Sequence, residues 1–185
     1  MLPWGHLAVG YVVYSLVERI GRGRAPGGTP VLWLAVGTQF PDLIDKPLAW
    51  WFGLIPSGRM VAHSLLVAVP IIAVAVWYAY RRDRARDGFA FATGYVTHLL
   101  GDSIGPLLGG AYWRARFLVW PLAPPVNYET ERSVLAHLAD VDPSALLLVA
   151  PLVLLWIYDG RPGLTELRAI PSLVGSAYFP DDDSN

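Results

Sequence analysis

The sequence has no cysteine, and Lys46 is its one lysine among fourteen basic residues. Without cysteine there can be no disulfide, no thiolate-ligated zinc and no thiol nucleophile, so any metal must be held by histidine and carboxylate. Charge is scarce as well. Asp, Glu, Lys and Arg make up 16% of the 185 residues, where a soluble domain carries about 25%. The net charge of −1 gives no support for a nucleic-acid partner, and none is expected. Internal repeats and low-complexity tracts are missing. The first residues, through His6, show neither a basic n-region nor a small-residue cleavage site, so they read as mature protein rather than a signal peptide.

What is abundant is apolar and aromatic. Hydrophobic residues account for 54% of the chain, with eight Trp and nine Tyr, and mean hydropathy is +0.41. Amphipathic rings favour the headgroup zone, so the partner this composition points to is the lipid bilayer. Five apolar segments are separated by Arg-, Gly- or Pro-rich breaks. The first runs from Leu7 to Val17. The second runs from Pro30 to Phe40 and stops at Pro41. An aromatic stretch from Pro47 to Ile55 then reads as an interfacial or re-entrant piece. The third, Ser64 to Tyr80, carries no charge and is kinked at Pro70; the fourth is Phe89 to Leu108 and the fifth Ala145 to Tyr158. The first two are short against the roughly 20 residues of a span. The expected fold is all-α: a polytopic membrane bundle of about four to five helices plus short interfacial helices. A single domain is expected over 1–169, followed by an acidic tail, 170–185, expected to be disordered.

Ionisable residues inside or beside apolar segments are functional candidates, because inserting them is costly. His6 opens the first segment, Asp42 and Asp45 close the second, and His63 opens the third. His98 and Asp102 lie late in the fourth, four residues apart and therefore on one helix face. In an up-and-down bundle the starts of odd elements and the ends of even ones share one end. All six residues fall there. Arg19, Arg22, Arg24, Arg81, Arg82, Arg84, Arg86 and Arg161 fall at the other end, which the positive-inside rule makes cytoplasmic. Arg114 and Arg116 run against that pattern. The expected location is the inner (cytoplasmic) membrane, multi-pass, with the cluster on the extracytoplasmic side.

Imidazole together with carboxylate suits zinc first, and also manganese or iron. Hence His6, Asp42, Asp45, His63, His98 and Asp102 are the candidate metal ligands. Plainer readings exist for each. A lone buried histidine is usually a hydrogen-bonded core residue, Asp42 can cap a helix starting near Leu43, and His98 and Asp102 can satisfy each other. Six converging by topology favour an ion.

The order His6, Pro41-Asp42-x-x-Asp45, Arg59-x-x-x-His63-Ser64 and His98-x-x-x-Asp102 resembles the YdjM-like membrane-bound, metal-dependent hydrolases. Members are described as inner-membrane, LexA-binding proteins. The resemblance covers about residues 1–110. It implies a helical membrane fold, a metal site on those six residues, and a ligand chemistry similar to that of zinc phospholipase C. One departure stands out. The family segment reads His-Arg-Gly-x-x-His-Ser, whereas here Gly58 stands in the place of the first His. Where that histidine is a ligand, this site is thinner, by as much as one metal. Nothing in the sequence attaches LexA binding to a residue.

The hydrolase reading makes an unligated Asp42, Asp45 or Asp102 the general base. Arg59, one turn before His63, is the candidate for steadying a substrate phosphate on a lipid or other amphipathic molecule; a snorkelling interfacial arginine is the equal alternative. The competing classes are a non-catalytic membrane metal-binding or scaffold protein, and a transporter or channel subunit using the same cluster as an ion site. His137 lies among Glu129, Glu131, Asp140 and Asp142 and reads as part of a solvated loop.

Overall fold

The structure, a computed structural model, describes residues 2–126 and 143–169, with the side chains of 143–148 excepted. His137 and the acidic tail lie outside the described residues. Every regular element among those described is helical. Helix α1 spans Pro3–Arg22, α2 Gly28–Trp50, α3 Leu65–Arg81, α4 Ala85–Leu108, a 3-10 helix Tyr112–Val119, and α5 Pro143–Tyr158. Proline at the start of α1 gives up only an N–H that the helix would leave unpaired. Gly23 ends α1 at φ 67°, returning its N–H to the Arg19 carbonyl. Ser64 caps α3 by accepting from the Leu66 amide at 3.2 Å, and its hydroxyl donates to the Trp120 carbonyl.

Two expectations about α2 are corrected. It does not stop at Phe40, and Pro47–Ile55 is not a separate element. The helix continues through Pro41 and Pro47 to Trp50, and turns and bends follow as far as Ser64. Pro41 removes only the amide that would reach the Gly37 carbonyl, a loss a packed helix tolerates where neighbours hold it in place. Asp42 therefore lies inside a helix and caps nothing.

Helix α4 is central and packs against α1, α2 and α3. Its approach to α2 is backbone to backbone. A Cβ at Gly94 would lie 2.4 Å from the Leu34 carbonyl oxygen, and one at Gly37 2.2 Å from that of Phe91, so only glycine fits at either crossing point. Two apolar clusters flank this contact. One joins Tyr11, Tyr14, Val31, Leu34 and Ala90 to Leu155 and Trp156. The other joins Ala68, Phe91, Tyr95 and Leu99 to Phe40, Ile71 and Ile72. At the end away from the site, Asp159 accepts from Tyr11 Oη at 2.7 Å, Ser15 Oγ at 3.1 Å and Arg19, fastening α5 to α1.

Among the described residues no helix is long and apolar enough to cross a membrane. The apolar helices α3 and α5 have 17 and 16 residues, while the longer α1, α2 and α4 carry the polar residues of the site. Those polar side chains point inward, and the outer faces show Leu16, Ile20, Leu43, Leu66, Val69, Trp77, Leu100 and Ile104 to the surroundings.

Candidate metal centre

The fold brings all six sequence-selected residues to one end of the bundle and buries them. His6 comes from the first turns of α1, Asp42 and Asp45 from the second half of α2, His63 from the turn before α3, and His98 and Asp102 from α4.

The ring orientations follow from hydrogen bonds. His98 Nδ1 lies 2.7 Å from the Thr38 carbonyl, an acceptor only, so Nδ1 carries the hydrogen and Nε2 the lone pair. His63 Nδ1 lies 2.8 Å from Asp45 Oδ2 and donates to it. The two Nε2 atoms then face each other at 3.0 Å. In neutral rings these would be two lone pairs in contact, which needs a cation or a proton between them. Asp42 Oδ1 lies 3.6 Å from His63 Nε2 and 3.8 Å from His98 Nε2, and has no hydrogen-bond partner among the described residues. Asp102 Oδ2 lies 3.6 and 3.7 Å from the same nitrogens. Donors bound tetrahedrally at about 2.0–2.1 Å stand about 3.3 Å apart, so these spacings suit one small transition-metal ion with little adjustment. Asp42, His63 and His98 form one group of potential ligands, and His6, His98 and Asp102 a second.

Asp45 holds the His63 ring through Nδ1, a contact that orients an imidazole and raises its basicity, and it belongs to neither group of potential ligands. Its two oxygens accept from the amides of Met60 at 2.8 Å, Ala62 at 2.9 Å and His63 at 3.3 Å, besides His63 Nδ1. Tyr95 Oη adds a 2.6 Å bond to the Ala62 carbonyl. Asp45, expected from the sequence as a ligand or base, thus has both oxygens engaged by these amides and the His63 ring. Burial alone would lower the pKa of His63, but the contacts with Asp102 and Asp45 and the charge of Asp42 outweigh it and raise the pKa.

His6 stacks on His98 with ring centroids 3.9 Å apart. Its Nε2 is 3.3 Å from Asp102 Oδ1 but poorly aligned for a hydrogen bond, and neither ring nitrogen has a hydrogen-bond partner among the described residues. Arg59 Nε donates to Asp102 Oδ2 at 2.7 Å. This arginine is therefore built into the centre, not merely poised at an interface.

Lys46 escaped the sequence reading. Its Nζ donates to Asp42 Oδ2 at 2.8 Å and lies 5.4 Å from the Trp50 ring centroid. The available signal was a solitary lysine one turn beyond a candidate ligand. Thr38 was also missed; it acts through its backbone carbonyl, which no side-chain pattern reveals. At Gly58 a Cβ would lie 3.3 Å from Lys46 Cγ and 3.6 Å from Trp50 ring atoms. Position 58 thus faces the lysine.

Among curated proteins and solved structures, none matches the chain. The family described as YdjM inner membrane protein matches residues 1–178, well beyond the 1–110 that the motifs cover. With its buried His/Asp centre at one end of a helical bundle, the chain belongs to the YdjM inner membrane protein family.

Proposed function

We propose that the chain is a bilayer-seated metalloprotein whose centre takes one divalent transition-metal ion, zinc foremost, with manganese and iron compatible with the same donors. The reaction it serves is hydrolysis of an ester or phosphodiester in a lipid or other amphipathic substrate. The observation that carries this reading is the 3.0 Å opposition of His63 Nε2 and His98 Nε2, both turned to present lone pairs, beside the orphaned Asp42 Oδ1.

Asp42, His63 and His98 would hold the ion, with Asp102 beside them. A divalent ion there would supply Lewis acidity towards water and the scissile group. Asp102, steadied by Arg59, accepts the proton of the incoming water, and His6 beside it carries the proton onward. Arg59 also offers guanidinium donors to an anionic substrate group, while Asp45 acts only through His63.

A second reading is a non-catalytic metal-binding protein. It draws on Asp102 Oδ2, which lies 3.6 and 3.7 Å from the same two nitrogens and would add a fourth protein donor, as is typical of structural sites. Asp102→Asn separates the two. Metal kept and hydrolysis lost supports the catalytic reading; metal lost with the carboxylate supports the closed one.

The seat in the membrane is inferred from the family and from the apolar outer faces. The bundle turns its polar side chains inward, so helices too short or too polar to cross alone are sheltered by one another. The Arg-rich end is assigned to the cytoplasm and the centre to the extracytoplasmic side. Elemental analysis of purified protein tests the metal. Wild type is expected to retain a transition metal that His63→Ala and His98→Ala lose; wild type without one sinks the reading.

A further inference from the structure

We propose that the centre is a one-metal site in which the Lys46 ammonium stands where a second metal ion would, and that ion and ammonium together receive a phosphoryl anion. This rests on the metal-centre reading above and deepens it.

Asp42 is the first ground. Its Oδ1 belongs to the donor set, and its Oδ2 binds Lys46 Nζ at 2.8 Å. The carboxylate thus bridges a metal position and a fixed cation, as carboxylates bridge the ions of two-metal sites. The lysine is built in. Its head lies against the Trp50 ring, and the absence of a side chain at Gly58 leaves room for its stem, because a Cβ there would press on Lys46 Cγ at 3.3 Å.

The second ground is that a further ion has too few donors among the described residues. The group His6, His98 and Asp102 shares His98 with the first. His98 Nδ1 is committed to the Thr38 carbonyl, and its Nε2 already serves the first group. Among the described residues that leaves His6 and Asp102 for a second ion.

Charge is the third. Asp42, Asp45 and Asp102 bring three negative charges, and Lys46 and Arg59 two positive ones. One divalent ion leaves the cluster at +1, which an anionic ligand offsets. A second would leave +3 among buried groups, at a heavy electrostatic cost. The cations also border the accessible side: the Lys46 and Arg59 side chains are 12% and 15% exposed, against 0% for those of His63 and His98. An ammonium has three donors, and the bond to Asp42 uses one. A phosphoryl group has enough oxygens to meet ion, ammonium and guanidinium together, where a carboxylate has two.

The test is calorimetric titration of zinc-loaded protein with inorganic phosphate, with zinc counted by elemental analysis, in wild type, Lys46→Met and Lys46→Arg. One zinc per chain is expected in all three. Phosphate affinity should fall by about tenfold or more in Lys46→Met, which loses a charge-assisted hydrogen bond, and be largely restored in Lys46→Arg. Two zinc ions per wild-type chain overturn the proposal. So does equal phosphate affinity in wild type and Lys46→Met with one zinc in each, or loss of zinc from Lys46→Met, which makes the lysine structural. Wild type without zinc would instead defeat the metal reading itself, and this proposal with it.

Discussion

Asp42 and Asp45 sit three residues apart on one helix, and the structure gives them different work. Asp42 turns an unpartnered oxygen towards the two histidines; Asp45 gathers the backbone amides of 60, 62 and 63 and fixes the His63 ring. Asp45→Asn is therefore expected to leave the donor set intact but weaken metal binding by about 10–100-fold, the usual effect of losing such a partner. Competition with a chromophoric chelator measures it, and unchanged affinity would show that Asp45 does not orient the ligand. The raised pKa of His63 has its own consequence. Metal and proton compete for the same Nε2. As pH falls through the raised pKa, apparent affinity should drop by about tenfold per pH unit, and above it the dependence should flatten. The residue types of the site were legible in the sequence, and so was their common end. The division between ligand and orienting carboxylate was not, because it depends on which way the amides of the 60–63 turn point.

Between helices, the α2–α4 crossing sets the site. Asp42 lies five residues beyond Gly37, and His98 four beyond Gly94, so the glycine contact fixes how closely the two donors face each other. Gly94→Val puts a side chain against the Leu34 carbonyl and the Thr38 amide, backbone atoms that cannot step aside. The expected cost is about 1–3 kcal/mol or more in thermal or chemical unfolding, with loss of metal binding. Gly21→Ala is the control: its Cβ would meet nothing within 4 Å, and helix propensity favours alanine there by about 0.5–1 kcal/mol. Equal effects of the two substitutions would contradict the crossing argument. Sequence reading found the apolar runs of α3, α4 and α5, since uninterrupted apolar runs declare themselves, but not the cap at Ser64. It cut α2 at Pro41 because a local rule about proline says nothing of the neighbouring helix that holds the segment straight. The same cut hid Lys46, whose partnership with Asp42 exists only if the helix continues.

Across the whole molecule, family and surface agree on the membrane. The chain belongs to an inner membrane family, and Leu66, Val69, Val74 and Trp77 on α3 are each at least half exposed. No described helix is long and apolar enough to cross alone, so the proposed seat depends on the bundle inserting as a unit, polar faces inward. The protein is accordingly expected to stay with membranes through an alkaline carbonate wash and to need detergent for release. Release by the wash would reduce the association to a peripheral one. At the centre of this molecule, the account stands on an ion between His63 and His98. X-ray absorption at the zinc edge of the metal-loaded protein reads that directly. The expected spectrum has a first shell of nitrogen and oxygen at about 2.0–2.1 Å, with outer-shell scattering from two imidazoles that falls to one in His98→Ala. Zinc without imidazole scattering, or a spectrum unchanged by that substitution, would contradict it.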